Sequence, residues 1–174
     1  MMKYSVYLLL NVLIVPSVAL ANGEIEVPME QKALEIRAEQ LYAGSQCGNG
    51  NAAGAVWITN QEQLKLVYQS LQKGKIGGPS YKLPSIDFKK TGALLISMGQ
   101  QRTGGYGIKL TEAPVAVVDK LATVQVHWLE PAPGGIQIQV LTSPCVLIKL
   151  PLNDYVHIKV VDQTNALKTE VKIE

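Results

Sequence analysis

The sequence predicts an α+β fold, mainly an antiparallel β-sheet or small β-sandwich with one covering helix at about residues 61–72. Two observations carry this. From Ala93 onward the apolar residues recur every second position, between turn-forming residues at short spacing. Before that point, one stretch carries apolar residues at helical spacing: Leu64, Val67, Tyr68 and Leu71 fall at i, i+3, i+4 and i+7.

The elements follow in order. Lys3 and the apolar run Leu8 to Leu20, interrupted by Asn11, Pro16 and Ser17, precede an Ala19-Leu20-Ala21 cleavage site. A positive start, a short apolar stretch and small residues at the cut are the marks of a secretory signal, assigned here to residues 1–21. The run is about 13 residues long, whereas a spanning helix takes about 20. No stable membrane anchor is therefore expected after cleavage, and the mature chain is expected to start at Asn22. Residues 22–54 read as a lead-in segment and a Gly/Asn loop. Residues 55–174 read as the β-rich domain. Within the lead-in, Leu34, Ile36 and Ala38 alternate like a strand, although the surrounding Glu, Gln and Lys suit a helix.

Ala55 to Ile58 is a short predicted strand. Thr59 and Glu62 form a T-x-x-E capping box for the helix, and Gly74 offers a left-handed stop. A loop is expected from Gly77 to Pro84. Leu94, Ile96 and Met98 then share one strand face, and Tyr106, Ile108 and Leu110 share one face of the next strand. An irregularity is expected at Pro114 and a turn at Asp119-Lys120. Val124, Val126 and Trp128 line the return strand. Ile136, Ile138 and Val140 alternate with Gln137 and Gln139, and Val156, Ile158 and Val160 with Tyr155, His157 and Lys159. Both patterns read as strands.

Composition removes several function classes. Sixteen basic and 14 acidic residues leave a net charge of +2, with no charge run to attract nucleic acid or an anionic membrane. Neither a phosphate loop, a dinucleotide fingerprint nor an HExxH motif occurs. Two Cys and two scattered His give no metal-ligand spacing, and no cofactor is implied. Ser97 and Ser143 lack a G-x-S-x-G elbow. His127 and His157 have no nucleophile in a recognisable frame and read as surface residues. Trp57 and Trp128 read as core, and Asp87 as a surface turn. No catalytic residue is assigned.

Cys47 and Cys145 are the chain's two cysteines. In an exported chain such a pair is expected to bridge. Ser143-Pro144-Cys145 reads as a bend that places the second sulfur.

Two loops stand out. Gly99 to Tyr106 carries adjacent glycines, Gly104 and Gly105, beside Arg102, Thr103 and Tyr106. Glu130 to Gly135 carries Pro131, Pro133 and Gly134, a stiff rim short of amide donors. The strand leaving the first loop and the strand entering the second have similar lengths, so both loops are expected at one end of the sheet. Arg102, Thr103, Gly104, Gly105, Tyr106, Pro131, Pro133 and Gly134 are the candidate partner-binding residues.

Several motifs in series resemble the PrcB C-terminal domain family. They are Ser85-Ile86-Asp87-Phe88, Leu94 to Gln100, Arg102-Thr103-Gly104-Gly105-Tyr106, Glu130 to Gly134, and Gln139 to Cys145. The resemblance covers roughly residues 55–161. The family takes its name from a subunit of a bacterial surface protease complex. It implies an exported, non-enzymatic accessory domain, periplasmic or secreted, with a protein partner such as a protease. Position 145 is often aromatic in that family, so Cys145 departs from its pattern in a way that suits a bridge to Cys47. The stretch Thr103 to Gly107 is also similar to the N-P-T-T-G-Y-x-W loop of chagasin-type cysteine-protease inhibitors, with Gln101-Arg102, Gly104 and Ile108 at the differing positions. Inhibition is thus one alternative function, and a purely structural envelope protein is another.

Overall fold

Two sheets pack face to face, and a helix covers the outer face of one of them. The computed structural model describes residues 33–48, 50–72 and 83–173. The expected signal peptide, the start at Asn22, the stop at Gly74 and most of the 77–84 loop lie outside the described residues.

The larger sheet holds β1 (Leu34–Ile36), β5 (Gly107–Leu110), β6 (Val115–Val118), β7 (Leu121–Leu129), β9 (His157–Val161) and β10 (Leu167–Lys172). Its order is β1-β6-β7-β9-β10, with β5 also paired to β7. The smaller sheet runs β2 (Glu39–Gly44), β8 (Cys145–Pro151), β4 (Thr91–Ser97), β3 (Gly54–Ile58). All the pairings are antiparallel except β7 with β9. Residues 34–44 of the lead-in thus supply one strand to each sheet.

The main core lies between the sheets. Leu94, Ile96 and Ile148 from the smaller sheet meet Val124, Val126 and Ile158 from the larger one. A second apolar cluster lies on the other side of the smaller sheet. There Leu64, Tyr68 and Leu71 of α1 (Gln61–Gln72) pack on Leu95 and Leu147. Strands β4 and β8 are therefore buried on both faces, which is why their sequences read as nearly continuous apolar runs.

Local chemistry accounts for the turns and caps. Asp119 and Lys120 both take positive φ, 49° and 64°, as a two-residue hairpin between β6 and β7 requires. The arm from Gly107 to Val118 is interrupted where expected. Its two halves, β5 and β6, pair with different stretches of β7. Between them Thr111 donates its hydroxyl to the Gln125 carbonyl, 2.9 Å away. Asp87 forms a turn, its carbonyl accepting the amides of Lys90 and Thr91.

Three expectations need correction. The helix cap is shifted by one residue. Asn60 Oδ1 accepts the Gln63 amide at 2.9 Å, and Gln63 Oε1 accepts the Thr59 amide at 3.0 Å, so Asn60 and Gln63 replace Thr59 and Glu62. An Asn immediately before the first helical residue offers its oxygen to the third amide and takes over the role. Residues 136–140 form no strand, because the segment runs beside the Gly99–Tyr106 loop, where the Ile138 carbonyl accepts the Gly104 amide, and not beside a strand. Finally, Val156 points outward and Tyr155 inward. The alternation breaks there because the Val156 amide is drawn to the Lys120 carbonyl, and β9 begins only at His157.

Candidate functional site

The glycine loop leaves the end of β4 and is fastened at several points. The Met98 amide donates to the Pro144 carbonyl and the Gln100 amide to that of Gly50. Gln101 and Thr142 exchange two main-chain bonds, of 2.8 and 2.9 Å. Thr142 Oγ1 donates to the Thr103 carbonyl, and the Gly104 amide donates to the Ile138 carbonyl at 2.9 Å. Gly99 makes this path possible. Its φ is +70°, and a Cβ there would lie 2.5 Å from the Ala52 carbonyl carbon.

The disulfide braces the same region. Cys47 and Cys145 are joined at 2.03 Å and are fully buried. The Cys47 amide donates to the Ser143 carbonyl, so the residues before β8 are held by the bridge and by main-chain bonds together. A bond of this kind forms and persists in an oxidising compartment.

The proline loop meets the glycine loop directly. Gly107 pairs with Leu129, which sets the two loops at the same end of the β5–β7 ladder. Gly105, at φ +92°, faces Pro131: a Cβ on it would lie 3.1 Å from the Pro131 Cβ. Arg102, Gly105, Pro133 and Gly134 are exposed, whereas Thr103, Gly104, Tyr106 and Pro131 are half-buried. The Tyr106 ring packs against the main core. It is thus a foundation of the loop as well as part of its surface. Ile108, where the inhibitor loop carries Trp, is buried within β5.

A polar cluster that the sequence reading passed over supports the second loop. Asp162 is nearly buried, and its Oδ1 accepts the Thr164 hydroxyl at 2.7 Å and the amides of Thr164 and Ala166 at 2.8 and 3.0 Å. The Thr164 hydroxyl, then these amides and Lys168, hold the carboxyl well below the usual range against the opposing effect of burial. Lys168 lies 3.1 Å from Asp162 and 5.6 Å above the Trp128 ring, and Trp128 Nε1 donates to Glu130 at the root of the proline loop. Asp162-Gln163-Thr164-Asn165 was the available signal: an Asx-type turn with Asn165 at φ +64°.

A cleft of about 450 Å³ lies beside the glycine loop, lined by Gln46, Asn51, Gln100, Leu141 and Ser143 among others. Ser143 Oγ is buried and has no hydrogen-bond partner among the described residues. Ser97 Oγ lies 3.4 Å from the Gly54 carbonyl. His127 is exposed, and His157 Nε2 lies 3.2 Å from Glu170. Both Trp57 and Trp128 pack against the main core.

Comparison with known proteins gives one match. Residues 93–151 match the family model described as PrcB C-terminal. The matched stretch runs from β4 through β8 and contains both loops. No curated protein and no solved structure matches the chain.

Proposed function

We propose that this chain, whose residues 93–151 are of the PrcB C-terminal type, is an exported accessory module. It binds a protein partner, in keeping with the protease-complex subunit behind the family name. One observation carries the reading: Gly105 abuts Pro131, which joins two rigid loops into one surface. Such a surface loses little conformational freedom on binding, because hydrogen bonds and prolines already fix its main chain. Arg102 supplies a charged, exposed side chain on it, and Pro133 and Gly134 form the rim. The buried disulfide suits a periplasmic or secreted location. The inhibitor alternative gains nothing from Ile108, which is buried where that loop presents its Trp.

Photo-cross-linking in cells tests this. Probes at the exposed positions Gln100 and Pro133 are expected to capture the same polypeptide, and a probe at Glu62 on α1 to miss it. Different captured proteins from the two loops, or the same yield from Glu62, would refute the proposal. Tyr106→Ala is unsuitable as a clean binding variant. Its ring packs on the core, so the truncation is expected to cost about 1–3 kcal/mol of stability, read by urea unfolding.

A further inference from the structure

The segment after the proline loop exposes more apolar surface than its surroundings. Ile136 is 104% exposed, Ile138 78%, Leu141 57% and Val140 42%. A single exposed Ile needs no explanation, but four such residues within six positions do. Their order is that of a half-buried strand, yet no strand among the described residues pairs with them. Their main chain is also largely unused. The Ile138 carbonyl accepts the Gly104 amide and the Leu141 carbonyl accepts Gln46 Nε2, but none of the amides of residues 136–141 donates to a described residue.

We propose that residues 136–141 are a docking edge for an extended, neutral-to-acidic peptide segment of a partner protein, which adds there as a strand. The inference rests on the accessory-module reading and names the chemistry of its partner. In an extended run the main-chain groups of alternate residues turn to opposite sides. With the Ile138 carbonyl turned to Gly104, those of Gln137 and Gln139 face the incoming strand, which ends where Gln46 Nε2 already donates to the Leu141 carbonyl. Apolar side chains at alternate positions of the peptide cover Ile136, Ile138 and Val140.

Size and charge select this occupant. The four residues offer on the order of 300 Å² of apolar side chain. A stable dimer takes about 800 Å² from each copy. The edge is thus too small for a second copy and suits a short strand. Arg102 is the single charged side chain in residues 99–106 and 131–145. It is exposed, and its neighbour Gln101 pairs with Thr142, which puts Arg102 beside the Leu141 end of the segment, across it from the incoming strand and with its long side chain free to reach over. A carboxylate at the matching end of the peptide is therefore favoured.

The test is fluorescence anisotropy with the intact, disulfide-bonded protein and a labelled heptapeptide of alternating valine and threonine ending in aspartate. Binding is expected, and at least about tenfold weaker binding when alternate peptide nitrogens are methylated, since strand addition depends on main-chain bonds. Gln139→Pro removes an amide that donates to no described residue. It is expected to keep the wild-type melting temperature and to weaken peptide binding about tenfold. Arg102→Glu is expected to reverse the preference between aspartate-ended and lysine-ended peptides. Equal affinity for the methylated peptide, unchanged binding by folded Gln139→Pro, or dimerisation abolished by Gln139→Pro overturns the proposal. One shared cross-linked partner from positions 100 and 133 without peptide binding removes the docking edge alone. Peptide binding without a shared cross-link supports the edge and removes the accessory reading.

Discussion

Replacing both cysteines by alanine tests how the candidate surface is held in place. Cys47 and Cys145 are 98 residues apart in sequence, so their bridge closes most of the domain into one loop. In the chain-entropy treatment, a loop near 100 residues long removes about 4.7 kcal/mol of freedom from the unfolded chain. The native state adds a smaller cost. Both sulfurs are fully buried in the cluster between α1 and the smaller sheet, and removing them leaves a small void there. The expected total is about 4–6 kcal/mol, which is comparable with the whole stability of many domains. Urea unfolding followed by tryptophan fluorescence reads it. The oxidised protein, the reduced protein and the Cys47→Ala/Cys145→Ala variant are compared. Reduction keeps the sulfur volume and isolates the loop-closure part, and the variant adds the void. Reduction is also expected to raise the urea dependence, because a freed chain exposes more surface on unfolding. A loss below about 1 kcal/mol on reduction would refute the reasoning, since the main-chain bonds around Ser143 would then be sufficient alone.

Three further outcomes are expected. Gly99→Ala is expected to cost about 2–4 kcal/mol, because a positive φ and the Ala52 main chain both oppose a Cβ, while Gly134→Ala, at φ +76° in open space, costs about 1 kcal/mol; equal losses in urea unfolding would contradict this. Asp162 has its folded pKa lowered, so its contribution is complete above the ordinary carboxylate value of about 4 and is lost as pH falls below it; Asp162→Asn is expected to lower neutral-pH stability and flatten the acid limb of a melting-temperature profile. Burial pushes the Tyr155 phenol up to about 12, so the neutral form is favoured in the fold and its contribution fades only as pH rises from about 10 through 12; ultraviolet titration is expected to show a late component that Tyr155→Phe reduces by one tyrosine.

What the sequence revealed and what it hid follow from the range of the interactions. The helix stripe from Leu64 to Leu71, the turn at Asp119-Lys120 and the inward set Val124, Val126 and Trp128 are local patterns, and each is found as read. The meeting of the two loops was also legible, because it depends only on two hairpin arms of matched length. The Ile136–Val140 alternation misled, since a period of two states which side chains agree with one another but not whether a neighbouring strand exists. The cap moved by one residue because Thr59 and Asn60 are both competent caps, and the side chain adjoining the first turn took the bond. The Asp162 cluster was hidden because Trp128, Glu130 and Lys168 converge on it only after β7 and β10 have flanked β9.

The first two strands among the described residues also bear on how the protein is made. β1 and β2 are separated by Arg37 and Ala38 alone, yet one borders the larger sheet and the other the smaller. Their pairing partners are residues 115–117 and 145–149, far downstream. A ribosome therefore releases these strands long before anything exists for them to join. Closure of that flank of the sandwich waits until residue 149 has emerged, so slow maturation is built into the order of the chain.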